Sequence, residues 1–384
     1  MRARQSVVQM PRSGIREIMD LAWRTPECVH LEVGEPDFAT PEHVREAGMQ
    51  AIADGATRYS PNAGIPMLRE ALAEKVARVN GYQVDPNQVI VSAGAVEAIY
   101  ASLVTMLDPG DEILLPDPGW PNFRMMADLL SAKAVFYPLK AENGFLPDPQ
   151  DIRERVSDRT RVLLVNFPSN PLGSVPTMEL VKDLYAVASE KDLLIVSDEC
   201  YDQIVFADSC PSPSLVDSEG RVISTYSFSK TYAMTGWRVG YAAVPSPIAE
   251  TLSKVQEPLI SCVSGPAQYA ALGALTGSQE CVGEMVAAYR GRRDAALGVC
   301  REMSLSYLEP EGAFYLWVSI DGRDSDRFAL ELVKRKQVAL APGTAFGENG
   351  NGWVRISLAN SSEAVVRGVR AVAELRDTWS GEAS

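Results

Sequence analysis

Short apolar runs alternate with longer amphipathic stretches through the middle of the chain. The runs have the length of strands that are buried on both faces, and they predict seven strands: Val89–Ser92, Glu112–Leu115, Ala134–Tyr137, Val162–Val165, Leu193–Val196, Val222–Thr225 and Val239–Val244. The helical period between them predicts these helices: Ala95–Leu107, Trp120–Leu130, Asp148–Val156 and Glu179–Ser189. Such alternation predicts an α/β fold, in which a mostly parallel sheet carries helices on both faces.

The pattern changes on both sides of this region. After it come helical runs at Ile248–Val255, Pro266–Ala274 and Gly283–Met303, and then strands near Phe314–Val318 and Val354–Leu358. Before it we predict a helix at Ser13–Trp23, a strand at Val29–Val33, a helix capped by Thr40, and a helix whose apolar face holds Leu68, Leu72, Val76 and Val79. Because 384 residues are too many for one compact core, we expect a large domain over residues 45–290 and a small α+β domain from residues 1–44 and 291–384.

Composition excludes several classes of protein. The net charge is −14, which argues against a nucleic-acid or anionic-membrane surface, because both need clustered Lys and Arg. The six cysteines show no paired spacing, so we expect reduced thiols in a cytoplasmic protein. With only two histidines and no Cys or His cluster, no metal site is expected. The first residues lack the apolar core of a signal peptide.

Lys230 is the first candidate for chemistry. It follows the apolar strand that begins at Val222, and no acidic residue lies between Glu219 and Glu250 to hold its charge. A partly desolvated lysine can form a Schiff base with a carbonyl. The nearby hydroxyls and guanidinium of Ser227, Ser229 and Arg238 suit a phosphate. A Schiff-base lysine beside a phosphate site indicates pyridoxal phosphate; an ordinary surface lysine in a loop is the competing interpretation.

Other candidates follow predicted strands, at the edge where a parallel sheet binds ligands. Small residues from Ser92 to Val96 open a helix whose first N–H groups suit an anion. Asp198 follows a buried strand and would pair with a pyridinium nitrogen, although Asp198 or Glu199 could equally cap a helix. Arg355 stands between apolar neighbours in a strand, where its guanidinium would bind a planar anion such as the carboxylate of an amino acid. A structural ion pair within the protein is the competing interpretation.

Taken together, these segments resemble the class I/II aminotransferases of pyridoxal-phosphate fold type I, and especially the subgroup with prokaryotic aspartate-type enzymes. The resemblance runs nearly end to end and rests on these segments: Glu32–Phe38, Arg58–Tyr59, Asn166–Gly173, Ser197–Tyr201, Ser229–Arg238, Gly312–Tyr315, Pro342–Phe346 and Arg355–Ser357. It implies a mostly parallel seven-stranded sheet with a smaller α+β domain, and a homodimer with shared active sites.

The resemblance also implies a role for each site residue. Lys230 would be the Schiff-base lysine and would carry the proton between Cα and the cofactor, in a ping-pong reaction between an L-amino acid and a 2-oxo acid. Asp198 would pair with the ring nitrogen, Tyr201 and Asn170 would bind the ring oxygen, and Trp120 would stack on the ring. The phosphate would be held by Ala95, Val96, Ser227, Ser229 and Arg238, and by Tyr59 of the neighbouring subunit. The substrate carboxylate would bind Arg355, with Asn170, Trp120 and the backbone of Gly34.

One departure from the family pattern bears on the reaction. Val96 stands where some aspartate-using relatives have lysine, and only Arg16 and the basic residues from Arg290 to Arg293 are candidate replacements. The side chain of the substrate is therefore open. A same-fold C–S lyase or an enzyme like aminocyclopropane-carboxylate synthase would use the same lysine. A non-catalytic regulator on this fold usually has an added DNA-binding domain, for which the sequence has no spare residues.

Overall fold

The computed structural model describes residues 5–8 and 14–379, so the predicted cap at Ser13 lies outside the described residues. The strands are β1 (Val29–His30), β2 (Val89–Ser92), β3 (Glu112–Asp117), β4 (Lys133–Pro138), β5 (Thr160–Asn166), β6 (Leu194–Asp198), β7 (Val222–Ser227), β8 (Gly240–Ala243), β9 (Tyr307–Leu308), β10 (Tyr315–Ser319), β11 (Val338–Ala339), β12 (Ala341–Pro342) and β13 (Trp353–Ser357). The seven strands predicted for the large sheet are thereby confirmed.

The α-helices surround these strands. They are α1 (Gln5–Val8), α2 (Gly14–Ala22), α3 (Glu42–Ala53), α4 (Pro66–Lys75), α5 (Ala95–Met106), α6 (Pro121–Leu130), α7 (Pro149–Arg155), α8 (Met178–Glu190), α9 (Phe228–Thr231), α10 (Ser246–Ile260), α11 (Gly265–Thr276), α12 (Glu280–Glu302), α13 (Ser325–Lys336) and α14 (Ser362–Thr378). Six of the eight helices whose bounds were predicted agree with the structure within two residues at each end; α10 and α12 begin earlier than predicted, and α10 also ends later. No helix among the described residues is long and apolar enough to cross a membrane.

The large sheet has the strand order β2-β8-β7-β6-β5-β3-β4. Its strands are parallel except β8, which runs antiparallel to both of its neighbours. The ladder extends past the apolar runs, since Asn166 pairs with Asp198 and Asp198 pairs with Thr225. Polar residues that the pattern assigned to loops therefore sit in register at the carboxyl edge of the sheet.

Three local predictions were wrong. The strand predicted at Val29–Val33 is only the two residues of β1, which pair with β11. Thr40 does not cap α3, because its hydroxyl donates to the carbonyl of Ala233 (2.7 Å) and the helix begins at Glu42. Val79 lies in the π-helical turn Val76–Asn80, which changes the helical period, and its side chain is 40% exposed.

A second sheet, of order β12-β13-β10-β9, packs near both ends of the chain. Its strands share one apolar cluster with α12, α13 and α14. Helix α12 passes through residue 290, where the sequence pattern placed the domain boundary, and both Tyr289 and Leu297 belong to that cluster. The division into residues 45–290 and the two terminal segments stays a prediction.

The same Gly→Ala change should have opposite effects at two positions. At Gly240, in β8, a Cβ atom would lie 2.6 Å from the carbonyl oxygen of Tyr226 and 2.7 Å from the nitrogen of Ala95. At Gly298, exposed in α12, it would meet open space. We expect Gly240→Ala to lower the free energy of unfolding by about 1–3 kcal/mol through overpacking. Gly298→Ala should raise it by roughly 1 kcal/mol through helix propensity.

Urea denaturation monitored by circular dichroism measures both changes. The two variants are matched controls for each other, because each adds one methyl group. Equal shifts in the same direction would contradict the close approach of β8 to the start of α5.

Candidate active site

A cavity of about 440 Å³ opens at the carboxyl edge of the large sheet. Its wall brings together every site residue predicted from the sequence except Tyr59: Gly34, Ala95, Val96, Trp120, Asn170, Asp198, Tyr201, Ser227, Ser229, Lys230, Arg238 and Arg355. Tyr59 lies outside the cavity, and its side chain is 90% exposed in the single chain. The ends of the parallel strands bring most of these residues to one edge, and Gly34, after β1, and Arg355, in β13 of the second sheet, join them from outside the large sheet.

Lys230 projects into the cavity from the single turn of α9. The end of β7 fixes that turn, since Ser227 Oγ accepts the N–H of Ser229 (3.1 Å). The ammonium group Nζ donates to the carbonyl oxygen of Gly34 (2.6 Å). Burial lowers the pKa of Lys230, and the charges of Arg355 and Arg238 lower it further, whereas Cys200 and Glu35 oppose the shift. The amine is therefore neutral, and nucleophilic, at a lower pH than an ordinary lysine.

Asp198 ends β6 and faces the cavity. Its Oδ1 accepts the backbone N–H of Cys200 (3.2 Å), and burial raises the pKa of the carboxyl to about 6. No salt bridge to Asp198 is present among the described residues. Glu199 is turned away from the cavity and accepts hydrogen bonds from Ser212 Oγ and Ser224 Oγ (2.7 Å each). Of the two acidic candidates, only Asp198 can contact a ligand in the cavity.

The start of α5 and Arg238 form one end of the cavity. Ala95 and Val96 are the first residues of α5, so their N–H groups lack intrahelical acceptors. Arg238 donates to the carbonyls of Thr235 (2.7 Å) and Ala93 (3.1 Å). Gly94 has a φ of +83°, and a Cβ there would lie 2.6 Å from Arg238 Nη2. A helix N-terminus, a guanidinium and the hydroxyl of Ser229 make a set of donors that fits a phosphate.

Arg355 also lines the cavity, from β13. Its Nη1 donates to Asn170 Oδ1 (2.8 Å) and its Nη2 donates to the carbonyl of Glu32 (2.5 Å). Its Nε is buried without a hydrogen-bond partner among the described residues. Burial lowers the pKa of this guanidinium, and no carboxylate in the described part of the chain lies within 4.0 Å of it. The structural ion pair considered from the sequence is therefore absent from these residues, and a carboxylate ligand would fit the fork.

The side walls are aromatic and amide groups. The Tyr201 hydroxyl hydrogen-bonds that of Tyr315 (2.7 Å), and burial raises the pKa of Tyr201 well above its usual value. Trp120 precedes α6 and packs edge-on against Phe123, with ring centroids 5.3 Å apart. The backbone N–H of Asn170 donates to Asn166 Oδ1 (2.8 Å). Aromatic rings and a hydroxyl thus line the same cavity as the guanidinium groups of Arg238 and Arg355.

Several lining residues were not predicted as site residues: Ile15, Met19, Glu32, Asn122, Cys200, Thr235 and Tyr315. Four of them lie within the segments that carry the family resemblance, so that resemblance could have placed them at the site: Glu32, Cys200, Thr235 and Tyr315. Ile15 and Met19 come from α2, and the sequence connected that helix to the site only through Arg16, a candidate cation, and not through these two apolar residues.

The arginines considered as replacement cations lie elsewhere. Arg292 pairs with both carboxylate oxygens of Asp37 (2.7 Å each), and Arg290 donates to the carbonyl of Phe206 (3.0 Å). Arg293 pairs with Asp294, and the exposed Arg16 does not line the cavity. Arg355, Arg238 and Lys230 are the cationic side chains that line the cavity in the described part of the chain.

Comparison with known proteins identifies the family. A family model described as "Aminotransferase class I and II" matches residues 26–372. The chain belongs to the class I and II aminotransferases. It is similar to the aspartate aminotransferase of Pyrococcus horikoshii, at 36% identity over 96% of this chain and 95% of that protein. It is also similar to aromatic-amino-acid aminotransferase 2 of Thermococcus litoralis, at 38% identity over 91% of this chain and 92% of that protein.

Solved structures agree with this assignment. The aspartate aminotransferase of Thermus thermophilus with maleate superimposes with a TM-score of 0.92 at 36% identity, covering 98% of this chain and all of that chain. The predicted fold type I architecture and the aminotransferase function are confirmed, and the lyase-type alternative is not favoured. Members of this family use pyridoxal phosphate.

The raised pKa of Asp198 leads to a prediction for the cofactor-free aminotransferase. Because the pKa is about 6 in the folded chain and about 3.9 in an unfolded chain, ionisation of Asp198 opposes folding as the pH rises through that window. The cost is complete above about pH 6 and amounts to roughly 3 kcal/mol. Asp198→Asn should therefore have little effect on the free energy of unfolding near pH 4 and should raise it near pH 7. Chemical denaturation across this range measures the difference.

The exposed Asp158 offers a matched control. Asp158→Asn removes a carboxylate at the surface, where no burial cost applies, so its effect should not grow between those pH values. If the two variants give the same pH trend, Asp198 does not carry a desolvation cost.

Proposed function

We propose that this aminotransferase binds pyridoxal 5′-phosphate in the cavity and moves an amino group between an L-amino acid and a 2-oxo acid. One observation carries the proposal: a lysine whose pKa is lowered by burial and by the charges of two guanidinium groups lines one cavity with them and with a buried carboxylate. The two guanidinium groups suit two different anions, a phosphate and a carboxylate. A cofactor whose phosphate is bound by one of them would present its carbonyl carbon to the lysine in the same cavity.

The residues present fit the cofactor in each of its parts. The start of α5, Ser227, Ser229 and Arg238 would hold the phosphate, and Trp120 would cover one face of the ring. Asp198 would pair with the ring nitrogen, which would supply the close cationic partner that this buried carboxylate lacks among the described residues, where only the more distant charge of Lys230 lowers its pKa. Tyr201 and Asn170 would bind the ring oxygen. When bound, pyridoxal phosphate supplies a ring that accepts the negative charge left when the substrate loses its Cα proton.

Arg355 would bind the substrate α-carboxylate. Its fork is already oriented by Asn170 Oδ1 and the carbonyl of Glu32, so little ordering remains to be done when the substrate arrives. Its unpartnered Nε and the faces of Tyr315 (4.3 Å) and Phe346 (4.8 Å) leave it a desolvated cation in need of an anion. A carboxylate bound there places Cα toward Lys230.

Lys230 would be both the attachment point for the cofactor and the base. Once free, its neutral Nζ would take the proton from the substrate Cα and deliver it to the cofactor carbon C4′. The carbonyl of Gly34 accepts a hydrogen bond from Nζ and so limits the directions in which the amine can point. A second oxo acid would use the same groups in reverse order, which gives ping-pong kinetics.

The quaternary arrangement is part of the proposal. Tyr59 does not line the cavity of its own chain, and its side chain is exposed. We propose that it reaches the phosphate of a neighbouring subunit in a homodimer with shared sites. We propose as well that residues 1–44 and 291–384 form the small domain and that the protein is cytoplasmic. Sedimentation that gives the mass of a single chain in the presence of cofactor would contradict the shared sites.

Lys230→Ala tests the central assignment. We expect the purified variant, incubated with pyridoxal phosphate, to lack the visible absorption band of the wild type and to lose at least about 10³-fold in turnover. The exposed Lys254, which pairs with Glu250, provides the control Lys254→Ala with full activity. A Lys230→Ala variant that keeps both the band and the turnover would contradict the proposal.

Arg355→Lys tests the carboxylate site. The change keeps the charge but removes the fork, so kcat/KM for α-amino acids should fall by roughly 10²-fold while the cofactor band stays. Steady-state kinetics compare an amino acid with the primary amine that lacks its carboxylate. An equal loss for both donors would show that Arg355 acts through the fold and does not bind the carboxylate.

A further inference from the structure

Asp117 is a buried carboxylate outside the active-site cavity, and the proposed reaction gives it no role. It ends β3, where its backbone carbonyl accepts the N–H of Leu139 (2.8 Å), so its place at the carboxyl edge of the large sheet is fixed. Burial raises the pKa of the carboxyl to about 6, although hydrogen bonds from Asn349 oppose the shift. No lysine or arginine nitrogen of the described residues lies within 4.0 Å of it. Such a carboxylate is costly unless hydrogen bonds hold it.

Asn349 supplies hydrogen bonds that hold this carboxylate. Its backbone N–H donates to Oδ1 of Asp117 (3.2 Å), and its side-chain Nδ2 donates to Oδ2 (2.9 Å). Asn349 lies 232 positions along the chain from Asp117, in residues 343–350, which we call the Phe346 segment. Gly347 makes room for the pair, because its φ is +139° and a Cβ there would overlap Oδ1 of Asp117. The backbone of the Phe346 segment is therefore shaped around this carboxylate.

Each of the two segments that the pair joins carries an aromatic ring of the site. Residues 117–120, which we call the Trp120 segment, end in the tryptophan that lines the cavity. The Phe346 segment places the centroid of its phenyl ring 4.8 Å from the guanidinium carbon of Arg355. Beside the pair, the N–H of Gly119 donates to the carbonyl of Phe346 (2.8 Å). A displacement of either segment would therefore be passed to the other ring.

We propose that Asp117 is a positioning residue, which through Asn349 holds Trp120 against the cofactor ring and Phe346 against Arg355 at the same time. The proposal rests on the proposed function, because that function assigns the cofactor ring to Trp120 and the substrate carboxylate to Arg355. The charge of Asp117 strengthens its hydrogen bonds, and burial keeps water from competing for them. Because a displacement of about 1 Å at a reacting centre costs roughly 10²-fold in rate, a tie between the two rings bears on the reaction.

Two single substitutions break the pair. Asp117→Ala removes the acceptor, and Asn349→Asp sets two carboxylates against each other. We expect each variant to lower kcat roughly 10-fold and to raise KM for the amino donor roughly 10-fold, because one ring serves the cofactor and the other serves the carboxylate site. The visible circular dichroism of the bound cofactor should weaken as well, since it depends on how the surroundings hold the ring. Steady-state kinetics and dichroism of the holoenzyme measure these effects.

Exchanging the two side chains should restore the pair. In Asp117→Asn/Asn349→Asp, the amide oxygen at position 117 accepts the backbone N–H of position 349, and the amide NH₂ donates to the new carboxylate. This double variant should recover most of kcat, KM and the dichroism, whereas independent effects would add to those of Asn349→Asp. In the cofactor-free protein, hydrogen–deuterium exchange of residues 117–120 and 343–350 should be faster in Asn349→Asp and return toward the wild-type rate in the double variant.

Asp326→Ala is the matched control. The exposed Asp326 of α13 accepts a hydrogen bond from Thr344 Oγ1 (2.8 Å), so its loss loosens the same Phe346 segment from another side. This variant should keep the wild-type KM and dichroism, because the bonds to the Trp120 segment remain. Gly347→Ala drives a methyl group against Oδ1 of Asp117, and it should reproduce the effects of Asp117→Ala even if that variant folds poorly.

The outcomes distinguish this inference from the function on which it rests. If the wild type with pyridoxal phosphate shows neither a visible band nor turnover, the proposed function fails. If the wild type reacts but Asp117→Ala and Gly347→Ala lower only kcat, with KM and dichroism unchanged, the loss reflects a smaller folded fraction and the inference is wrong. A double variant no better than Asn349→Asp, or an Asp326→Ala variant as impaired as Asp117→Ala, would also overturn it.

Discussion

Desolvation of charge at the carboxyl edge of the large sheet is the constraint on which the site depends. Asp198 and Arg355 are buried, and burial shifts the pKa of each toward its neutral form. The same cause lowers the pKa of Lys230. Each of these groups destabilises the free protein and would be stabilised by a ligand of opposite charge. The fold thus holds several buried charges without ion-pair partners among the described residues, and the proposed phosphorylated cofactor and zwitterionic substrate would supply such partners.

One short segment forms hydrogen bonds with two of these buried groups, Arg355 and Lys230. The carbonyl of Glu32 accepts from Arg355, and the carbonyl of Gly34, two residues later, accepts from Lys230. The segment itself is held by Leu31, whose backbone bonds to Ala339 and Ser357 in the region of the second sheet. Arg355 and Lys230, to which we assign the substrate carboxylate and the proton transfer, are therefore both positioned by one stretch of chain. A substitution that moved this stretch would alter binding and proton transfer together.

Much of this arrangement could be predicted from the sequence. The apolar runs gave the strands of the large sheet, and the strand ends with the family resemblance led to Asp198, Lys230, Arg238 and Arg355. Local periodicity was insufficient where a long-range contact decided the geometry. Thr40 was expected to cap α3, but its hydroxyl bonds to Ala233, nearly two hundred residues away. The sequence also did not predict that Ile15 and Met19 of α2 line the cavity, because the packing of the ends of the chain brings them there.

The substrate side chain is where family membership is least informative. The relatives include one protein named for aspartate and one named for aromatic amino acids, at similar identity. Both must satisfy the same α-carboxylate and the same amine, so the common residues cannot separate them. Discrimination has to come from the walls that the reaction leaves unassigned. In this chain those walls include the apolar Ile15, Met19, Val33 and Val96 and the polar Asn122 and Thr235. Among the described residues, the cations that line the cavity are Lys230, Arg238 and Arg355, so a second carboxylate on a substrate would find no cation there beyond the three to which the proposed reaction gives other tasks.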